Sequence, residues 1–317
     1  MSTPSPIFQV VFETPMRRSF DYLPGAEQPL PCPGARVRVP LGRQHAVGVV
    51  VAHAETSALP RPRLKPVIET LDATQLWDEV TFGLLRWAAD YYHHPLGDVL
   101  FSAMPKMLRK GAPATRDEIL WRLSETGRDA IAAGARLGAR QKALIAHVGE
   151  EGSTAEEISA AGHAGALRTL AARAWIESIA RPEPPPPAGA GKPGPVLTAD
   201  QGAAVERIGA ALGRFGAFLL HGVTGSGKTE VYLRLIERVL EAGCGALVLV
   251  PEIALTPQLV ARFRTRLAAP VVALHSSLAD GARLAGWRAA ASGRAPVVIG
   301  TRSAIFTPIP SLGLVVV

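Results

Sequence analysis

Apolar and polar residues alternate in two ways along this chain, and the switch between them divides it. Near the N-terminus the period is two. "IFQVVFE" reads as a strand, and "ARVRVPLGRQHAVGVVVAH" alternates Val37 and Val39 with Arg36 and Arg38. It then pauses at Pro40 and Gly42 before a second apolar run, which predicts a hairpin in a small β-rich unit. A helix is predicted over "LWDEVTFGLLRWAADYY", where Val80, Leu84, Leu85 and Ala88 recur at helical spacing. The middle predicts three helices ("ARQKALIAHVGE", "GSTAEEISAAG", "HAGALRTLAARAWI") and then a strand, "WIESIARP". Ser153 followed by Glu156 predicts a capping box on the second of these. That order is the order of a winged helix, with Arg168 and Arg173 on the element that enters the major groove in DNA-binding examples.

The last part alternates aliphatic strands ("FGAFLLHG", "GALVLVPE", "PVVALH", "APVVIGTR", "LGLVVV") with amphipathic helices. Strands this uniformly apolar are covered on both faces, as in a parallel sheet with helices on each side. Between the middle and the last part, "RPEPPPPAGAGKPGP" holds too much Pro and Gly for helix or central strand and reads as a linker. The predicted domains are 1–112, β-rich; 113–181, winged helix; 182–195, linker; and 196–317, an α/β lobe of RecA-like type with an incomplete parallel sheet.

Composition changes this picture little. With 48% apolar residues among 317, the chain has ample material for cores. Cys32 and Cys244 match no metal or redox spacing, which fits a reducing, cytoplasmic setting. No apolar run approaches the length of a membrane span and no secretory pattern opens the chain, so no membrane partner is expected. The net charge of +7 permits a polyanionic partner. Most of the excess lies from Pro182 onward, where thirteen basic residues face eight acidic ones.

The chemistry concentrates there. Gly222, Val223, Thr224, Gly225, Ser226, Gly227, Lys228 and Thr229 match G-x-x-x-x-G-K-[ST] between a predicted strand and a predicted helix. Glycines let backbone N–H groups converge on phosphate oxygens, and the following helix adds its positive end. Lys228 is placed to reach the β- and γ-phosphates of ATP, and Thr229 to offer a hydroxyl to Mg²⁺. Gln201, about a helix upstream, has an amide that can pair with adenine. "PEIALTPQ" and "GTRSAIFTP" each follow a strand, and the second carries Thr301 and Arg302, groups suited to DNA phosphates.

"GVTGSGKTEVYL", "PEIALTPQ", "LHSSL" and "GTRSAIFTP" resemble the first motor lobe of the primosomal protein N′ (PriA) family of replication-restart, superfamily-two helicases. "RSFDYLP", "LKPVIETLD" and "WAADYYHHPLGDVLFSAMP" are similar to that family's fork-binding domain. The resemblance implies an ATP-dependent 3′-to-5′ DNA helicase that recognises stalled or branched forks and initiates primosome assembly. The implied partners are forked or single-stranded DNA, other primosome proteins and single-strand binding protein. It implies a pocket for a DNA 3′ end formed by Phe20, Asp21, Gly42 and Lys65: stacking on the aromatic, hydrogen bonds to the carboxylate, phosphate on the lysine. In the family the strand equivalent to "LGLVVV" leads into an Asp-Glu-Glu-His box, and a second lobe and a zinc site come later. None of these is in the chain, and Glu252 is a poor substitute for the missing acid. The expectation is therefore a truncated form that binds DNA, binds nucleotide weakly and is inactive alone as an ATPase. The alternatives are a non-motor DNA-binding fragment or another phosphate-loop translocase.

Overall fold

The computed structural model describes residues 6–26 and 28–317. They form two compact units, one of residues 6–114 with 185–317 and one of residues 115–184. The junctions fall inside "RKGAPATRDE" and inside the proline run, close to where composition placed them.

The N-terminal part of the first unit opens with β1 (Ile7–Val11), β2 (Phe20–Leu23), β3 (Arg36–Leu41), β4 (Gln44–Ala54), β5 (Lys65–Pro66) and β6 (Glu69–Thr70). Their order in the sheet is β5-β2-β1-β4-β3-β6, antiparallel except for β2 with β5. The sheet curls, because edge strand β5 also touches β3. The curl encloses Phe8, Val10, Tyr22, Val37, Val39 and Val50. The β3–β4 hairpin is as the alternation predicts, with Leu41 opposite Gln44.

Arg36 departs from that alternation. The alternation sets it on the same face as Arg38, which is half-buried, but Arg36 is fully buried. Asp72 returns from 36 positions downstream to take Nε and Nη2 in a bidentate pair at 2.8 and 2.7 Å, and also accepts from the Arg36 backbone N–H at 2.9 Å. Nη1 donates to the Leu108 carbonyl. A buried guanidinium is tolerated only when its donors are satisfied in this way.

Three helices follow: α1 (Glu79–Tyr91), α2 (Leu96–Ala103) and α3 (Lys106–Arg109). Asp78 caps α1 by accepting from Thr81 N–H. Of the predicted positions, Leu85 and Ala88 are buried and Leu84 is half-buried; Phe82 and Ala89 complete the buried face of α1, and Val80 is exposed. The cause is the sheet, which takes the face that Phe82 shares with Leu85 and so turns Val80 outward. At the start of α2, a Cβ on Gly97 would meet the Phe12 carbonyl oxygen at 1.9 Å. Only glycine allows that approach of helix to strand, so Gly97→Ala is expected to cost about 1–3 kcal/mol by overpacking, read as a lower denaturation midpoint.

The second unit comprises β7 (Asp117–Leu123), α4 (Glu125–Ala132), α5 (Ala139–Val148), β8 (Ser153–Thr154), α6 (Ala155–Ala160), α7 (Ala164–Ala172) and β9 (Ile176–Pro182). Its sheet runs β8-β7-β9, antiparallel, over a core of Leu144, Val148, Ile158, Leu170 and Ile176. The predicted helices and final strand are present; β7 and α4 are additional. The capping box sits one residue later than predicted. Thr154 accepts from Glu157 N–H at 3.1 Å and Glu157 accepts from Thr154 N–H at 2.8 Å. Ser153 is instead taken up by β8, which pairs with Trp121 and fixes its backbone as strand.

Residues 185–317 contain α8 (Ala199–Gly209), α9 (Lys228–Glu241), β10 (Gly245–Leu249), α10 (Pro257–Arg266), β11 (Val271–Leu274), α11 (Asp280–Ala291), β12 (Val297–Gly300) and β13 (Leu312–Val316). The four strands are parallel in the order β11-β12-β10-β13. Alternate residues of each strand face opposite cores. One joins Ala246 and Val248 to Leu233, Ile236 and Phe263; the other joins Leu247 and Val298 to Ala289 and Ala290. Helices therefore cover both faces, as the aliphatic strands require.

"FGAFLLHG", expected as a further strand, forms none. Leu220 packs against Val205, Val231, Leu235 and Leu314, but Phe215 and Leu219 stand exposed. Aliphatic composition supplies propensity, but a strand needs a neighbouring backbone to bond, and this segment pairs with no described strand.

The proline-rich segment is docked. Gly189 N–H donates to the Ala269 carbonyl and Ala190 N–H to that of Arg264, beside an isolated bridge between Ala188 and Pro270. Helices α1–α3 share a core with α11, through Leu85, Leu100, Leu284 and Trp287. The Trp77 indole donates to the Phe306 carbonyl at 3.2 Å, and Lys106 pairs with Asp280 at 3.7 Å. The β-rich part and the α/β part are one packed body.

Candidate functional sites: a phosphate loop and a strand-end pocket

The loop from Gly222 to Thr229 ends in α9. Gly225 and Gly227 have φ of +83° and +80°, the left-handed region that disfavours side chains. A Cβ on Gly222 would meet Ser226 Oγ at 2.7 Å, and one on Gly227 would meet Gln201 Nε2 at 2.4 Å. The loop folds over the Lys228 ammonium, which donates to the carbonyls of Gly222 at 2.6 Å and Val223 at 3.0 Å. Lys228 and Thr229 occupy the first turn of α9, where backbone N–H groups are unpaired within the helix. Glu230, one residue on, is buried and paired with Arg266 at 2.8 Å and Arg234 at 3.3 Å. Those pairs lock the start of α9 to α10 and hold the loop's exit still.

Gln201 belongs to this site. Thr198 caps α8 and forms a capping box with Gln201. The Gln201 amide donates to the Ser226 carbonyl at 2.9 Å and accepts from Thr198 N–H at 3.0 Å. One amide N–H and one oxygen lone pair remain for a base.

These residues fit a nucleoside triphosphate with Mg²⁺. The loop brings the Lys228 ammonium and the Thr229 hydroxyl to the N-terminus of α9 and has no carboxylate of its own. Glu252 lies in a short 3-10 turn, Glu252–Ala254, and accepts from Ser276 Oγ. Thr301 is buried at the head of a second such turn, Arg302–Phe306, and Arg302 is exposed. Among the described residues, no group of three or more His, Cys, Asp or Glu is placed to hold a metal ion.

The second site is on the curled sheet. Gly42 sits at the tip of the β3–β4 hairpin with φ +60° and open space around it. Lys65, on β5, places its ammonium 3.5 Å from the Gly42 carbonyl. The neighbouring strand β2 carries Phe20 and Asp21, with Tyr22 opposite Lys65 in register. The Phe20 ring meets Phe12 edge-on at 5.4 Å, with the Arg18 guanidinium 5.0 Å above it. Asp21 accepts from Ser57 Oγ at 2.5 Å. Tyr22 donates to the Pro40 carbonyl at 3.0 Å, which ties β2 to the hairpin. Burial pushes the Tyr22 phenol above its ordinary pKa and keeps it a neutral donor. All four expected pocket residues thus lie on two strands and a hairpin joined to one another. Alternation directs Asp21 to the opposite side of β2 from Phe20. Ser57 and Arg18, which bind Asp21 and Phe20, carry no signal in the sequence that marks them.

Comparison with known proteins finds two families along the chain. Residues 9–105 match the family described as 3′DNA-binding domain (3′BD), and residues 198–317 match DEAD/DEAH box helicase. The replication restart protein PriA of Haemophilus influenzae is 36% identical over 98% of this chain and 43% of its own length. That of Treponema pallidum is 29% identical over 98% of the chain and 38% of its own length. That of Bacillus subtilis is 49% identical over 123 residues, 38% of the chain. The chain thus spans about two fifths of the length of the first two relatives.

Proposed function

We propose, from the premise that this chain belongs to the PriA replication-restart family and spans its N-terminal portion, that it grips the free 3′ end of a strand at a branched DNA and carries the first half of an ATP-driven 3′-to-5′ helicase motor that starts primosome assembly. The observation that carries this reading is one body holding both sites: the 3′DNA-binding match packs through Trp77 and Phe306 onto the lobe with the phosphate loop. A translocase sharing only the loop would have no reason for the first half.

In this reading the domains are 1–112 for the DNA end, 113–181 as a winged helix on duplex DNA, 182–195 as the strap and 196–317 as the first motor lobe. Phe20 stacks the terminal base on its side of β2 and Lys65 pairs with the adjoining phosphate, while Asp21 and Ser57, on the opposite side of β2, accept from and donate to the sugar end that reaches past the strand. Gly42 keeps the hairpin tip clear of side chain so that backbone approaches the end. Arg302 holds the translocated strand by phosphate, and Thr301, buried at the head of the same turn, supports the loop beneath it. When bound, ATP with Mg²⁺ supplies the transferable phosphoryl group and its free energy. Lys228 and the loop N–H groups hold the phosphates, Thr229 holds the metal through its hydroxyl, and Gln201 meets adenine. Other primosome proteins and single-strand binding protein are the expected partners in the cytoplasm.

The test is a binding comparison between a fork with a recessed 3′ end and a blunt duplex of equal length. The fork is expected to bind more tightly. Asp21→Ala should erase most of that preference and leave the salt-dependent component, because phosphate contacts give affinity without end recognition. Equal affinity for both DNAs in the unmodified protein would reject the reading.

A further inference from the structure

Helix α1 carries an unexplained outer face. Trp87, Tyr91 and Tyr92 are 53%, 63% and 70% exposed. Trp87 and Tyr91 stack with centroids 4.9 Å apart and planes 23° apart, and Tyr92 stands edge-on to Tyr91 at 4.9 Å. Adjacent aromatic rings left in water forgo the burial that ordinarily stabilises them, and such a patch marks a contact surface.

A groove opens beside the residues that follow these rings in the chain. Just past Tyr92 the backbone turns through His93, a non-glycine residue at φ +51°. This corner faces residues 16–19 across a space of about 340 Å³ lined by Arg17, Arg18, Ser19, His93, His94 and Asp90, among others. Arg17 Nη2 donates to the His93 carbonyl at 2.5 Å and ties the two walls together. Arg18 reaches over Phe20, the proposed stacking residue. His94 stands 3.8 Å from Asp98. Arg18 thus links Phe20 to the groove, and the chain that carries Trp87, Tyr91 and Tyr92 runs directly into the His93–His94 corner that lines it.

We propose that this groove and these rings form a track for the single strand that ends in the pocket, with phosphates on Arg17 and Arg18 and bases on Trp87 and Tyr91. Cationic groups interleaved with exposed rings match a polymer that is anionic along one side and presents π-faces on the other. A protein segment would match the rings but not the arginines. The proposal rests on the reading that Phe20, Asp21 and Lys65 take a DNA 3′ end, and it extends that site by several nucleotides.

The test uses the full chain with two oligothymidylates, a dinucleotide that fills only the pocket and a 12-mer that also spans the track. Trp87→Ala and Tyr91→Ala should each weaken 12-mer binding about five-fold or more and leave the dinucleotide unchanged. Arg17→Ala should lower the magnitude of the 12-mer salt slope by about 0.7. The 12-mer should also quench Trp87 emission, a signal lost in Trp87→Phe, which keeps the ring shape if alanine disturbs the helix. Unchanged 12-mer affinity in both aromatic variants, or no affinity gain from dinucleotide to 12-mer, would overturn the track. Failure of the pocket reading gives a different pattern: Asp21→Ala and Lys65→Ala without effect on the dinucleotide, whatever the track variants do.

Discussion

Lys228→Ala is expected to weaken binding of Mg·ATP by about 30-fold or more, the scale for truncating one partner of a hydrogen-bonded charge pair. The structure gives the reason. The loop is wrapped around this ammonium, with two of its carbonyls as acceptors, so the variant loses both the cation for the phosphates and the group that holds the loop closed. Thr229→Ala removes only a hydroxyl, and its loss should be small without Mg²⁺ and larger with it. Calorimetry or a fluorescent nucleotide in both conditions reads the two effects. Wild-type affinity in Lys228→Ala would remove the loop from nucleotide binding.

The second large effect is on stability. Asp72→Ala should cost about 3–5 kcal/mol, because it leaves the Arg36 guanidinium buried without its anion. Both partners are inaccessible, at 0% and 4% of side-chain surface, so no water replaces the lost bonds. The pair also holds α3 through the Leu108 carbonyl, and the loss should spread to the helices that pack on α11. Arg36→Met with Asp72→Leu should be far milder, since replacing both members of such a pair by apolar groups removes the uncompensated charge. Denaturant unfolding followed by tryptophan fluorescence, with Trp77 in the affected core, distinguishes these outcomes. A loss below about 1 kcal/mol in Asp72→Ala would show that Arg36 finds another partner.

The phosphate loop was legible because each of its requirements is local. Positive φ calls for glycine, phosphate for lysine, the metal for a hydroxyl, and all three sit within eight residues. The β3–β4 hairpin was legible for a similar reason, since Gly42 and the flanking alternation are neighbours. What the sequence hid depends on distant returns of the chain. Arg36 looks like Arg38 until Asp72 folds back onto it. Val80 looks like core until the sheet selects the Phe82 face of α1. "FGAFLLHG" has the composition of a strand, but pairing depends on which backbone lies beside it. The strap at Ala188–Lys192 reads as a free linker, because its hydrogen bonds go to the end of α10 and the turn after it, some 75 residues on. The four residues of the strand-end pocket came from resemblance alone. Singly, Phe20, Asp21, Gly42 and Lys65 are an aromatic, a turn acid, a hairpin glycine and a surface lysine. The curl of the sheet brings Lys65 to Gly42, while Phe20 and Asp21 leave β2 on opposite sides.

The central claim is that residues 1–114 read a free DNA 3′ end, and the terminal hydroxyl is the most direct probe of it. Two otherwise identical forks, one ending in a 3′-hydroxyl and one in a 3′-phosphate, should be titrated against the protein at fixed salt. The account predicts tighter binding of the hydroxyl end, with the difference abolished by Asp21→Ala. Equal binding of the two ends by the unmodified protein would contradict it.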